Sequence, residues 1–518
     1  MKRNCIVFFV LCLFAFTSVF GQRQIMEGVN VSWGDVNKGF TEGKSFIAKE
    51  GNKVYLLNKG YAFKGINLGV VGVGRNESVY YVEIYDKQGN FQSSKEIQSK
   101  VGRAEVFVES VLIFNERLLI FTSQTLKGES TLYVQEMDKE SLELIGEKRE
   151  LIRTELPRGY FKSGYLNILS PNEKKIAILN IKPFKDKDKS EMDILVFDEN
   201  MEIIWSKTLN YEGHSSVLDN DGNLYRLAYS ENDSNHWSVR KYSSKGENIQ
   251  KYELGMKNFS AYKIAVKLSE SNDIICGGFY AEREDETVEG KKSKVLEHSF
   301  IGTFHTIIDK NLDSEIPIQV NFNPFDTDFL SKFSTKKSAD KSERLAFYKL
   351  REMIVKEDNS IFLVSEQSYN TVRDFTNPDM TKQSGLRSET NTYYSGSIIL
   401  AKINSVGKME WVKKLDKFKS TSQAGGHVMY HYLGHVSMIQ GNELYFVFND
   451  YDKKKEKKVK IFKVSENGEV EKRTIHTQKS KEGKYPLWTN LLVKVSGNEY
   501  WIHTRWMNKS KIGVISFD

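Results

Sequence analysis

Eleven residues, GGHVMYHYLGH at 425–435, hold three of the chain's nine histidines at a spacing of four: His427, His431 and His435. On a helix they would stand one turn apart, and two of them could grip zinc, as in H-x3-H motifs. On a strand, consecutive members lie ~13 Å apart at ~3.3 Å per residue, far outside the ~2 Å ligand shell of one ion. Val428, Tyr430, Tyr432 and Val436 favour the strand. We therefore assign no metal. The three histidines have the same parity and share one side, which with Tyr430 makes them candidates for ligand contact.

Other signals for chemistry are thin. DNDGN at 219–223 lacks the spacing and distal Glu of a calcium loop. GVVGVGRN at 69–76 lacks the helix that would complete a phosphate cradle. There is no nucleophile elbow, kinase set or zinc-protease helix. Asp326, Asp328, Asp374, Asp379 and Glu389 could supply the paired carboxylates of glycoside chemistry, which must stand ~5–10 Å apart in space. Cys276, in NDIICGGF, reads as a small buried hydrophobe. No catalytic residue and no cofactor follow from these patterns. Aromatic and basic mixtures are better candidates for binding: RGYFKSGY at 158, YPLWTNL at 485 with Trp488, and Arg373, Arg387 and Tyr393 within 366–396.

The first 21 residues have the layout of a secretory signal peptide, with Lys2 and Arg3 ahead of IVFFVLCLFAF and a small-residue site at Gly21. They contain two of the three cysteines, so an exported chain would keep Cys276 alone and form no internal disulfide. The expectation is a periplasmic or extracellular protein. No later run is long and apolar enough for a transmembrane helix. A balance of 75 Lys plus Arg against 68 Asp plus Glu gives no argument for nucleic acid, and runs such as DKKKEKK read as solvated loops.

What positions the candidates is a repeat. A polar turn followed by a β-branched and aromatic run recurs eight times, as in EGNKVYLLN at 50, FNERLLIFT at 114, QGNELYFVF at 440 and SGNEYWIHT at 496. Between successive copies lie seven hairpins with polar or Gly-containing turns, such as VEIYDKQGNFQ, LVFDENMEIIW and FKVSENGEVEK. Four strands per unit specify an all-β fold, an eight-bladed β-propeller, with a seven-bladed ring as the alternative. The eighth hairpin would begin at IGVISFD, where Phe517 and Asp518 match Phe197 and Asp198 of LVFDEN, and the chain stops at its turn. The alternating segment GVNVSWG at 28–34 is then the missing outer strand, so that residues 22–518 form a single domain closed by its own N-terminus.

The hairpin endings ENMEIIWSKTL at 199–209 and NSVGKMEWVKKL at 404–415 resemble the outer-strand repeats of eight-bladed quinoprotein-like propellers. The resemblance implies the ring. The adjacent cysteine pair of the quinone-binding members is missing, so it implies no cofactor.

In such a ring, second-to-third and blade-to-blade connections emerge on one face. The long segments at 182–192, 281–298, 321–345, 366–396 and 416–428 are all of these two kinds. Asp326 or Asp328 would cap a short helix within them. Long loops on one face of a rigid support are where binding usually lives. The expectation is a monomeric, non-enzymatic scaffold for a protein or glycan ligand. Its rivals are a polysaccharide hydrolase or lyase at the same mouth and a structural envelope protein.

Overall fold

The computed structural model describes residues 23–518 other than 39–42, 68–71, 99, 103, 160–161, 184–190, 212–214, 231–232, 244–248, 257, 283–298, 313–316, 334–344, 376–387, 425–431, 452–456, 478–484 and 507–508. It is an eight-bladed β-propeller. Each blade is built on antiparallel strands, with Ile318–Gln319 added parallel to the outer strand of blade four, and the innermost strands neighbour one another around the ring. Those innermost strands are Gly43–Glu50, Ala104–Phe114, Gly164–Leu169, Ser216–Leu218, Phe259–Leu268, Tyr348–Val355, His435–Gln440 and Leu487–Ser496, in blades one to eight.

The repeated turns work by a shared device. Asp86, Asp198 and Asp219 each accept two backbone N–H groups from the turn that follows, and Ser465 and Asn404 each accept one, from Glu469 and Lys408. Several of these turns need a left-handed residue. Gly89 has φ +83°, and a Cβ there would lie 2.8 Å from the Ile512 side chain of blade eight.

Closure follows the sequence reading. Val29–Trp33 pairs antiparallel with Lys509–Phe517, placing Val29 opposite Phe517 and Val31 opposite Ile515. Asp518 donates its backbone N–H to Gly28 O at 3.1 Å and accepts from Asn30 Nδ2 at 3.0 Å. Met26, Val29 and Val31 are buried against Tyr500, Ile502 and Phe517 of blade eight and Val436 and Met438 of blade seven. Full burial of each such side chain is worth about 1.5–3 kcal/mol. Arg23–Met26 adds a further strand outside this one, which the sequence pattern did not reveal.

The tryptophans of the outer-strand repeats join neighbouring blades. Trp205 Nε1 donates to Gly222 O and Trp411 Nε1 to Glu466 O, both at 2.9 Å, and Trp501 does the same to Lys87 O. Each bond crosses to the next blade.

Strand polarity sends the long connections to one face, as expected, but two of them are more ordered than loops. The segment read as an insertion at 366–396 is largely a β-arm: Ile361–Phe375 and Ser388–Ile403 pair as far as Phe375 and Ser388, with Lys419–Ala424 added alongside. In blade one, Lys53–Asn67 and Gly72–Asp86 pair out to Asn67 and Gly72, so Gly72 and Gly74 belong to the outer part of a second arm. Polar and glycine-rich alternation supports main-chain pairing without a core, which is why it reads as loop. The outer strand of blade five is Asn321–Pro324, inside the segment expected to be a connection. Asp326 caps the helix Thr327–Ser331, accepting from Phe329 N at 2.6 Å. No helix of the described residues is long and apolar enough to cross a membrane.

Candidate ligand-binding mouth

At the loop-rich end of the channel lies a cavity of about 660 Å³. Blade one supplies Lys44, Ser45, Leu57, Lys59 and Tyr80, blade two Val108, the approach to blade three Lys162, and blade eight Trp488 and Asn490. Inner strands begin at this face, second strands end there and third strands start there. Residues from several blades therefore converge at one level although they are far apart in sequence.

Three of the nine lining residues are lysines, and the carboxylates that serve them lie behind the wall. Lys44 Nζ meets Glu83 Oε2 at 2.7 Å, and Glu83 also accepts from Asn58 Nδ2 at 2.6 Å and from the Tyr85 hydroxyl at 2.9 Å. Burial and the adjacent Glu83 carboxylate push the Tyr85 phenol far up. Lys162 Nζ reaches both oxygens of Glu109, at 2.7 and 2.9 Å, and Ser123 Oγ donates to the same carboxylate. Lys59 stands 6.0 Å from the centre of the Tyr80 ring.

Trp488 is fixed from several sides. The Arg505 guanidinium lies 4.9 Å over its ring, Tyr432 meets it edge-on at 5.3 Å, and His503 packs at 6.3 Å. The Tyr432 hydroxyl donates to Arg505 O, while Asn449 Nδ2 donates to Tyr432 O and Leu487 O. His503 is fully buried, and burial first, then Lys44 and Arg505, holds its imidazole well below the usual histidine range. The ring is neutral.

A second constellation joins blades six and seven at the same face. Glu366 is fully buried and accepts from Lys417 at 2.5 Å, Arg351 Nε at 2.9 Å and Ser395 Oγ at 2.9 Å, with His435 Nδ1 at 3.3 Å. Lys417 Nζ also donates to Ser395 Oγ and Gly434 O. Burial alone would raise the Glu366 carboxyl, but Lys417, His435 and Arg351 together hold it well below the usual carboxylate range. Burial pushes the Lys417 ammonium down, and Glu366 offsets part of this.

Of the residues singled out from sequence, Trp488 lines the cavity. His435 opens the inner strand of blade seven, with its ring against Glu366 and Phe446, while Tyr432, Leu433 and Gly434, expected to belong to the strand, lie in a bend ahead of it in which Gly434 has φ +90°. His427, Tyr430, His431 and Arg387 lie outside the described residues, as does the side chain of Arg373, whose backbone pairs with Thr390 in the blade-six arm. Tyr393 is half-buried on the same arm, between Asn370 and Thr421 in register. Among the described residues no three His, Cys, Asp or Glu side chains come together as a metal site. Cys276 is fully buried, and burial pushes its thiol up to about 12. Sequence reasoning missed Lys44, Lys59 and Tyr80, because nothing in one strand says which neighbours the ring will bring to it. The short mixtures FKSGY and YPLWTNL did contain Lys162, Trp488 and Asn490.

No family model and no curated protein matches the chain. Solved structures align with it over most of its length at low similarity. The WD40 domain of SCAP from fission yeast is 8% identical, with a TM-score of 0.32, covering 96% of this chain and 97% of its own. An acylaminoacyl peptidase from Pyrococcus horikoshii is 11% identical with a TM-score of 0.35, covering 89% and 58%. A subtype N10 neuraminidase-like protein of A/little yellow-shouldered bat/Guatemala/060/2010 is 9% identical with a TM-score of 0.30, covering 86% and 98%. These likenesses carry no functional argument, and the blade count rests on the chain's own strand pairing.

Proposed function

We propose that the protein is an exported, non-enzymatic binding scaffold that holds a polypeptide or glycan on its loop-rich face, acting as a monomer. The observation that supports this most is the mouth cavity. Its volume lies within the range of about 300–1,000 Å³ usual for ligand sites, and a rigid ring holds its walls. The two β-arms rise from the same face and extend the area a ligand could cover. Glu83 and Glu109 are each hydrogen-bonded to a lysine of the cavity wall, an arrangement that suits charge placement better than proton transfer. The signal-like N-terminal segment supports export.

The test is a glycan and peptide array probed with the full chain, followed by incubation of every bound species and product analysis by mass spectrometry. The expected result is retention without turnover, preserved when any single Asp, Glu or His of the face is replaced. Product formation lost on one such replacement would establish the hydrolase or lyase reading instead.

A further inference from the structure

Proceeding from the scaffold reading and narrowing its ligand to a polypeptide, we propose that the blade-one arm takes an extended segment of a partner protein as an added β-strand along residues 72–79. Lys53–Asn67 and Gly72–Asp86 pair without a register shift all the way out to Asn67 and Gly72. The outer strand of this blade, Phe91–Ile97, accompanies Gly72–Asp86 only as far as Tyr80. Beyond that point, among the described residues, Gly72–Asp86 has a partner strand on one side alone. Alternate residues of such an edge point N–H and C=O outward, roughly four of them over this length, and an extended chain satisfies them by main-chain hydrogen bonding.

Blade six contains the same arrangement with the place filled. Its arm is also built from the second and third strands of the blade, and its outer strand, Met409–Leu415, accompanies Ser388–Ile403 only as far as Ile398. Lys419–Ala424 then continues that edge, antiparallel along residues 390–395, at the place that lies bare in blade one. The connections explain the difference. Residues 416–434 link the outer strand of blade six to the inner strand of blade seven, which is chain enough to supply the extra strand. The corresponding connection in blade one is 98–103, and its strand Lys100–Val101 is committed to Ala104–Phe114 of blade two. A two-stranded ribbon without a core is marginal in water, and an edge is normally blunted by lysine, proline or a bulge. GVGRNESV at 72–79 has neither lysine nor proline, its pairing carries no bulge, and Gly72 and Gly74 have no side chain to shield the backbone. The outermost strand of blade two, Leu144–Glu155, shows the usual protection, with Glu147, Lys148, Arg149 and Glu150 exposed along it and two shifts of register.

An array of random decapeptides, probed with the full chain and with a variant in which Asn-Gly replaces residues 62–77, tests the assignment. The shortened arm joins Tyr61 to Ser78, partners in register, through a two-residue turn, so its thermal melt should match that of the parent. The expected result is a set of peptides retained by the full chain and bound about tenfold more weakly, or not at all, by the variant. N-methylation of every second residue of a retained peptide should abolish retention in one parity and spare it in the other. The bound peptide should also slow backbone amide exchange at 72–79. These two measurements on the parent keep the test decisive where the variant melts early. No peptide retained, full retention by the shortened arm, indifference to N-methylation, or slowed exchange confined to 60–67 each overturns the proposal. A dimer in ultracentrifugation that the shortened arm abolishes overturns it in favour of a second copy of this chain. Glycans retained where no peptide is would remove this assignment and leave the scaffold reading standing.

Discussion

Glu366 and Lys417 meet at 2.5 Å with neither side chain exposed, one within the second strand of blade six and the other just beyond the outer strand of the same blade. Gly434 O and His435 complete the arrangement from the next blade. The pair fastens the connection between blades six and seven to the sheet it leaves.

Breaking that pair should be costly. Glu366→Gln or Lys417→Met leaves the other charge buried, for a loss of about 3–5 kcal/mol in urea unfolding, whereas the double variant Glu366→Leu/Lys417→Met should recover most of it. A single variant within 1 kcal/mol of the parent, ~1 being the typical worth of an ordinary exposed pair, would contradict this.

Acid should unfold the protein in two stages. Burial pushes the His305 imidazole down to about 4, so the unfolded chain binds this proton more readily than the folded one. Its contribution is complete above the ordinary histidine value of ~6.5 and is lost as pH falls from there towards 4. Glu366, held below the carboxylate range, adds a further loss below ~4.3, its unfolded value. Denaturant titrations across pH 3–8 should show both declines; His305→Phe should reduce the upper one, the remainder coming from His503, whose imidazole burial also holds well below the usual range.

Opening the clasp between the chain ends should destabilise the whole ring. Val31→Asp places a charge at a position 2% exposed, opposite Ile515. A loss above about 3 kcal/mol, with new protease cleavage in blade eight, is the expected outcome. An unchanged melting temperature would show that the N-terminal strand is dispensable.

Gly89→Ala should cost about 1–3 kcal/mol, because the new Cβ meets Ile512 and the backbone is already left-handed. Thermal melts of Gly89→Ala beside Gly51→Ala, where no atom lies within 4 Å of the added Cβ, separate the contact from the conformational part.

The ring was legible because its signal is repeated. Eight turns and seven hairpins specify one another, and the match of Phe517–Asp518 to Phe197–Asp198 pointed to the strand that closes it. The arms at 53–86 and 361–403 were not legible, since strands that pair above a sheet need no apolar alternation. The mouth was half legible. Trp488 stands out by type, whereas a lysine such as Lys44 resembles every other surface lysine until the fold buries it beside Glu83. Chemistry that depends on neighbours from other blades is encoded only through the topology.

The bond between Asn30 and Asp518 spans 488 positions. Lys509–Phe517 must be synthesised before Val29–Trp33 can find its partner, so until then that strand waits as an open edge with apolar side chains. The ring is sealed by two segments from opposite ends of its own sequence, and a chain interrupted before Lys509 keeps that edge exposed to aggregation and proteolysis.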